Sequence, residues 1–441
     1  MSTHRLHCFT HNTLIGTVSY EANEDAFAFE YDAAWLHSPD AYPLSPHIPL
    51  AADASAKGAA VRRFLANLLP EGRALDITSI VAQVSKNNVF GLIRELGSEP
   101  VGAFSFRTED QVPDQLPPLR REITPEELDA RIRDRANVPL PVWDGRVRLS
   151  VAGYQDKLQV LIDSDRMFLA DGSLASTHIL KPETGNPNTP HMVANEHFCM
   201  TFAARLGLPV APVSIRRLPE PILLVRRFDR KVSGDAIRRI HAIDGCQALD
   251  LPVAYKYERN LGSGRDVRNI RDGVSFELLS SLQSHFVKHA AARHTLMQWA
   301  LLQFLIGNSD AHGKNISFFV TPSGLAPAPF YDLVAVGVYA AKSIGHDLAM
   351  AFGDEFSLTD VNAYAFADFA QRTGVDRRFL AREMTRIGKL APQVARAVSL
   401  ESHYTDGERE IVERIADFIA TQASKLIGLA PRVPEIDAAL L

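Results

Sequence analysis

Cysteine is scarce. The 441 residues hold three, Cys8, Cys199 and Cys246, an odd number at wide spacing with no Cys-x-x-Cys pair. No disulfide framework follows, and a reducing, cytoplasmic setting is expected. Also missing is any uninterrupted apolar run of about 18 residues, the length that crosses a bilayer. The opening MSTHRLHCFT lacks the apolar core of a signal peptide. No membrane span is expected. Nor does one sign of charge dominate: 47 Lys and Arg against 52 Asp and Glu leave a net charge of -5. Global attraction to nucleic acid or an anionic membrane is thereby excluded, so any nucleic-acid contact needs a local patch or a partner. Internal repeats and low-complexity tracts are absent.

What is present reads as a soluble globular chain, 46% apolar and 22% charged. Its length points to two or three domains. Residues 4–30 alternate like strands (RLHCF, LIGTVSY, AFAFEY), with a turn at Thr10 to Asn12. AAVRRFLANLLP has helical periodicity stopped by Pro70, NNVFGLIREL ends at Gly97, and VGAFSF is a short strand. Residues 1–107 are expected to form a small α+β subdomain. Three prolines and mixed charge mark 108–123 as a linker. Thr124-Pro125 opens a helix. Strands (RVRLS, KLQVLI, MFLA, THILK), a helix over 192–206 and strands near 213–217 and 222–227 put an N-lobe at 124–275. Beyond 275 nearly everything reads as helix apart from a hairpin at 316–330, giving a helical C-lobe at 276–441. Strands first and helices afterwards predict an α+β, two-lobed body with a cleft.

The most informative stretch is LLQFLIGNSDAHGKN (301–315), followed by Tyr331-Asp332. An almost wholly apolar helix empties into a turn of polar residues, and unpaired polar groups are costly to bury. Asp310 and Asn315 lie five residues apart, the interval of a phosphoryl-transfer loop whose Asp orients the attacking hydroxyl while the Asn holds magnesium. Asp332, the next carboxylate, is the candidate second metal ligand. The plain alternative is a polar loop capping a buried helix. Asp-Ala-His also resembles a fragment of a dinuclear phosphoesterase, but the His-x-His such a site needs is missing.

Other segments are individually weaker. Ser150-Val-Ala-Gly-Tyr-Gln-Asp-Lys157 lies between two strands and has one glycine that can bring backbone N–H groups to a phosphate; a plain hairpin turn is the simpler reading. Lys181 closes the strand THILK and suits a phosphate-holding cation, or else snorkels to water. Glu196 in the next helix is the carboxylate to pair with it, or a solvated helix-face residue. Arg226-Arg227-Phe228 closes PILLV and offers backbone for a nucleotide base with Phe228 against it, or is a charged strand exit. Arg372, Arg377, Arg378, Arg382, Arg386 and Lys389 form a basic run. Such runs are usually solvated faces; Arg378 and Arg382 are the candidates for DNA-phosphate contact. Gln247 and the KYE at 256–258 have no independent chemical role.

Taken together, FLANLLPEGRA, SVAGYQDK, THILKPE, NEHFCMTFAARLGL, VRRFDR, GCQAL, KYE, GNSDAHGKN and PFYDL resemble, in order and across most of the chain, the HipA family of serine/threonine kinases, toxins of bacterial toxin–antitoxin pairs. The resemblance implies a protein-kinase-like fold with an extra N-terminal subdomain, ATP and Mg2+. It implies Asp310 as catalytic base, Asn315 and Asp332 as metal ligands and Lys181 as phosphate lysine. ATP contacts are expected from Ala152, Gly153, Tyr154, Gln155, Asp156 and Lys157, from Arg226, Arg227 and Phe228, and from His312, Gly313, Lys314 and Tyr331. Ser150 stands where the family autophosphorylates and inactivates itself; about -1.5 to -2 charges there would repel bound triphosphate. The implied protein substrate is an aminoacyl-tRNA synthetase, and the implied partner a helix-turn-helix antitoxin of the HipB type that carries the complex to operator DNA. Arg226, Ile243 and Tyr154 depart from the family's usual residues, yet the chemical side chains are all present. A nucleotide-binding scaffold that assists repression, and a small-molecule or lipid kinase, are the alternatives, since a catalytic core does not fix the acceptor.

Overall fold

The computed structural model describes residues 3–50, 58–111, 116–148, 155–234, 236–340, 342 and 344–441. Contacts divide the chain into two compact units. The first comprises Met1–Pro182, Arg216–Ile243 and Phe318–Leu325; the second comprises Glu183–Ile215, Asp244–Ser317 and Ala326–Leu441. Both sheets and helices are extensive, as the α+β expectation required. Among the described residues no helix is long and apolar enough to cross a membrane.

The first unit opens with β1 (Thr3–Thr10), β2 (Thr13–Glu21) and β3 (Ala26–Tyr31), an antiparallel meander that β4 (Phe104–Arg107) extends in the order β3-β2-β1-β4. Period-two alternation buries Phe27, Phe29 and Tyr31 while Glu30 faces water. Helices α1 (Ala33–Leu36), α2 (Gly58–Asn67), α3 (Gly72–Ala82) and α4 (Val89–Leu96) follow β3. α4 ends at Gly97 as its sequence indicated, and Asn88 caps its start by accepting from the Gly91 N–H.

One segment differs from its sequence reading. Pro118–Ile123, within the stretch read as linker, is strand β5. It pairs with β9 (Arg166–Gly172) along its whole length. Its charges suit an exposed edge: Glu122 pairs with Arg166, and Arg120 lies 5.3 Å from the Phe168 ring centroid. Proline at its first position costs no ladder bond. α5 (Pro125–Arg133) starts where Thr124 accepts from the Glu127 N–H. Short β6 (Val142–Trp143) and β7 (Arg146–Val147) pair with each other. β8 (Leu158–Asp163), β9, β10 (His178–Pro182), β11 (Val213–Leu218) and β12 (Glu220–Arg226) join β5 in the sheet order β11-β12-β10-β8-β9-β5. Leu128 and Ile132 of α5 pack with Trp143, Val160, Leu180 and Leu224 as its core. The unexpected hairpin β13 (Arg230–Ser233) and β14 (Ala236–Arg239) and the strands β15 (Ala242–Asp244), β16 (Ser317–Thr321) and β17 (Gly324–Pro327) complete the strand set.

Just beyond β12 lies a buried charge network. Asp229 accepts from Arg227 Nε (3.0 Å) and Nη2 (2.8 Å), from Arg230 Nη1 (2.8 Å) and from the Gly102 N–H (2.8 Å). Glu99 accepts from both the N–H and the hydroxyl of Ser176, at 2.6 and 2.7 Å. Burial alone would raise the Asp229 pKa; the two guanidinium groups outweigh it and hold the carboxyl far below its usual range. These bonds tie the Glu99–Gly102 turn of the N-terminal subdomain to the strand-end Arg227–Arg230 segment.

The second unit is mainly helical. α6 (Met192–Arg205), α7 (Gly245–Ala248), α8 (Phe276–Ser281), α9 (His289–Ile306), α10 (Ala363–Thr373), α11 (Arg377–Ser399) and α12 (Asp406–Leu429) are its α-helices. Residues 331–362 depart from the helical expectation: among those described, only the single 3-10 turn Val336–Val338 is regular. Side-chain anchors replace a helix there. Asn195 of α6 brackets Ala335, accepting from its N–H at 2.8 Å and donating to its carbonyl at 3.1 Å. Leu348, Met350 and Phe352 are buried.

Removing the Asp229 carboxylate leaves two buried guanidinium groups without their shared counter-charge. Asp229→Ala is expected to destabilise the first unit by about 3–5 kcal/mol, read from denaturant unfolding. A second expectation concerns acid. His241 is buried, its Nε2 lies 2.8 Å from the Leu44 carbonyl and its Nδ1 has no hydrogen-bond partner among the described residues. Burial lowers its pKa to about 4, as it does for His178 and His197. The fold therefore resists a proton that the unfolded chain accepts near pH 6.5. Stability is full above that pH and falls between pH 6.5 and 4, by about 1.4 kcal/mol per pH unit for each such histidine. Unfolding curves at pH 7, 6 and 5 check the decline. NMR titration should find His241 neutral at pH 5.

Candidate active site

α9 is buried along its last three turns, from Leu296 to Ile306. It stops at Gly307, whose φ of 62° is left-handed and whose added Cβ would lie 2.6 Å from the Phe418 ring. Both constraints favour glycine. The polar turn follows. Asn308, fully buried, donates to Gln303 Oε1 at 3.0 Å and accepts from the Asp310 N–H at 3.1 Å. The Asp310 carbonyl accepts from the His312 N–H (2.8 Å) and from Asn315 Nδ2 (2.7 Å). Residues Gly313–Asn315 form a 3-10 turn, and the His312 ring caps it by accepting from the Lys314 N–H.

These bonds set the chemistry of each side chain. With its nitrogen held by the Asp310 carbonyl, the Asn315 amide is fixed with Oδ1 as the atom a cation can use. Burial, with the Lys256 and Lys314 charges, holds His312 well below its usual pKa despite Asp332. Its Nδ1 is the acceptor, so Nε2 carries the proton, 4.0 Å from Asp310 Oδ1. The Asp310 side chain is 58% exposed, unlike its neighbours. Tyr257 donates its hydroxyl to Asp310 Oδ1, and its ring meets the His312 ring edge-on at 4.9 Å. Asp332 adopts a left-handed φ of 57°, uncommon for a side-chain-bearing residue though Asp tolerates it. Asn308 Nδ2 reaches its carbonyl at 3.5 Å.

Two expected nucleotide residues have structural partners. Lys314 is buried and its ammonium sits 2.6 Å from Asp244. Asp244 also forms a capping box with Gln247 at the start of α7. The Tyr331 hydroxyl lies 2.7 Å from both the Lys314 carbonyl and Ser317 Oγ, and burial raises its pKa, so it stays a donor. Sequence reading had missed Tyr257, Asp244 and Asn308. The strings KYE, HAIDGCQAL and GNSD carried them, but hydrogen bonds over 53 and 70 residues leave no local pattern.

In the first unit, Lys181 is buried in β10 opposite Leu223 of β12. Gln155 donates to the Pro182 carbonyl at 3.3 Å, Asp156 lies 3.9 Å from Arg135, and Lys157 is buried. Ser150, Ala152, Gly153 and Tyr154 lie outside the described residues. Arg226 is exposed, whereas the Arg227 guanidinium belongs to the Asp229 network and its N–H donates to the Thr177 carbonyl at 2.9 Å. Phe228 meets Phe319 at 5.8 Å. Glu196 is buried on α6 of the second unit, against the solvated reading. Arg378 and Arg382 are exposed one turn apart on α11, while Arg372 pairs with Asp368 and Arg386 with Glu383.

Family models match both parts of the chain: a HipA N-terminal domain over residues 6–107 and a HipA-like C-terminal domain over 149–397. The chain is 40% identical, over 96% of both sequences, to the serine/threonine-protein kinase toxin HipA of Shewanella oneidensis. The chain belongs to the HipA family. It is a serine/threonine-protein kinase of toxin–antitoxin type, as the resemblance implied. A putative kinase of Sinorhizobium fredii, Y4mE, is 32% identical over 98% of this chain and 100% of its own length. The structure of Shewanella oneidensis HipA, solved with HipB and operator DNA, superposes with a TM-score of 0.89 at 39% identity, covering 98% of this chain and 100% of that HipA.

Since buried Lys314 pairs with Asp244, Asp244→Asn should keep the helix cap but remove the carboxylate charge beside the ammonium. A loss of about 3 kcal/mol is expected. Adding Lys314→Met should recover part of it, a non-additivity that a double-mutant cycle in urea measures.

Proposed function

We propose that the Asn308–Asn315 turn, with Asp332, is the phosphoryl-transfer centre of this HipA-family kinase. The observation that carries the reading is the locked turn itself. One exposed carboxylate, Asp310, projects from it, and the Asn315 amide is oriented by the Asp310 carbonyl five residues earlier.

Asp310 takes the proton of a serine or threonine hydroxyl. The hydroxyl oxygen bonds to the γ-phosphorus of ATP, the bond from that phosphorus to the β,γ-bridging oxygen breaks, and ADP leaves. Asn315 Oδ1 and the Asp332 carboxylate are the residues that would hold Mg2+. One amide oxygen and one carboxylate suit a magnesium site completed by phosphate oxygens and water. No group of three His, Cys, Asp or Glu side chains forms an all-protein metal site among the described residues. When bound, the ion supplies positive charge to the phosphate oxygens. The turn's preset hydrogen bonds spare the site reorganisation during transfer. Neutral His312 places an Nε2–H beside the carboxylate without adding charge.

Lys181 is assigned the phosphate-holding role and Glu196 remains its candidate carboxylate. The Ala152–Lys157 stretch and Arg226–Phe228 are assigned to the nucleotide. The Arg227 N–H and guanidinium are already engaged, so its contact would come from other main-chain atoms. Ser150 is the proposed autophosphorylation site. The proposed partner is an antitoxin of the HipB type, supported by the Shewanella complex with HipB and operator DNA, and operator DNA is reached through it. Exposed Arg378 and Arg382 are the proposed phosphate contacts. An aminoacyl-tRNA synthetase as substrate rests on family resemblance, and a cytoplasmic location goes with it.

Asp310→Asn is expected to lower phosphate transfer from γ-labelled ATP to protein by at least about 100-fold. As an exposed residue it should change stability by no more than about 0.5–1 kcal/mol. Transfer at the wild-type rate in a folded Asp310→Asn protein would overturn the reading.

A further inference from the structure

Asp310 has a feature that its proposed role does not by itself require. It is an exposed carboxylate on a turn, and one of its oxygens accepts from the Tyr257 hydroxyl. We propose that Tyr257 is a positioning residue for phosphate transfer: its hydroxyl holds Asp310 Oδ1 and so orients the carboxylate toward the acceptor's proton. The proposal rests on Asp310 being the base.

The support for Tyr257 is unusually firm for a residue in irregular chain. Its neighbours Lys256 and Glu258 are both buried. The Lys256 carbonyl accepts from the Gly313 N–H at 2.8 Å, which fastens the Tyr257 segment directly to the catalytic turn. Glu258 is fastened from the other side: its N–H donates to the Ala349 carbonyl at 3.1 Å, and its carboxylate accepts from the Ala351 N–H at 2.8 Å and pairs with Arg271. Gly273 lets a third strand of chain come close, since a Cβ there would lie 1.8 Å from the Tyr257 carbonyl oxygen. Finally, the Tyr257 ring stands edge-on against His312. A side chain on so fixed a backbone presents its hydroxyl at a defined point, which is what a positioning group must do.

A competing physical reading is that the phenol imitates the acceptor hydroxyl and plugs the site. A plug must leave before the acceptor enters. The fixed flanks of Tyr257 oppose that movement.

The test uses the full chain, γ-labelled ATP and a cell lysate, with phosphate counted in all proteins, the chain included. Four forms are compared: wild type, Tyr257→Phe, Tyr257→Leu and Asp310→Asn. Losing a hydrogen bond to a charged group predicts that Tyr257→Phe lowers the rate at saturating ATP about 10- to 100-fold. Half-saturating ATP and the melting temperature should not change. Tyr257→Leu, which also loses the ring, should be no better. Wild-type rates in Tyr257→Phe with a drop only in Tyr257→Leu would reduce Tyr257 to ring packing and overturn the proposal. A faster Tyr257→Phe would reveal a plug and overturn it equally. In both cases an inactive Asp310→Asn leaves the phosphotransfer reading standing. Wild-type transfer by Asp310→Asn, or no transfer by wild type, overturns that reading and this inference with it.

Discussion

The main-chain carbonyl of Asp310 accepts two hydrogen bonds, from the His312 N–H and the Asn315 amide. The arrangement of the turn follows from that one atom. It draws the chain into the bend, aims the Asn315 oxygen away from the turn and leaves the Asp310 carboxylate outside. The bend is possible because Gly307 ends α9 in a left-handed conformation against Phe418. It is tolerable because Asn308 satisfies polar groups that α9 would otherwise bury unpaired. The turn thus lets an apolar helix end inside a folded unit with its polar groups bonded, and it displays one exposed carboxylate.

Desolvation governs the first unit in a similar manner. Asp229, Arg227, Arg230 and Glu99 are charged and removed from water, a state that holds only when every charge has partners. Here one carboxylate collects donors from two guanidinium groups and a backbone N–H. The N-terminal subdomain is tied to the strand segment that follows β12 by charge as well as by covalent chain. The same rule acts on Lys314 in the second unit, whose buried ammonium pairs with Asp244 at the start of α7.

Legibility from sequence followed the range of each interaction. Strands β1 to β3, the end of α4, the start of α5, the extent of α6 and the end of α9 depend on neighbours a few residues away, and periodicity with capping residues disclosed them. β5 was hidden because an edge strand facing water has a linker's composition. The irregular 331–362 stretch was hidden because its order comes from Asn195 and buried apolar side chains, not from its own period. Asp310, Asn315 and Asp332, the candidates of the proposed site, were picked out by residue type and interval. Tyr257 and Asp244 were not, since their partners lie 53 and 70 residues away.

The sequence by itself determined family membership, the identity of the polar cluster and where the apolar helix releases it, because residue type and local spacing encode these. Tertiary structure alone decided which polar groups are spent on the fold and which face water. Lys314, Arg227 and Tyr331 are committed to internal partners, and Asp310 is not buried. That division depends on desolvation, and burial is a property of segments far apart in sequence that no single stretch of it contains.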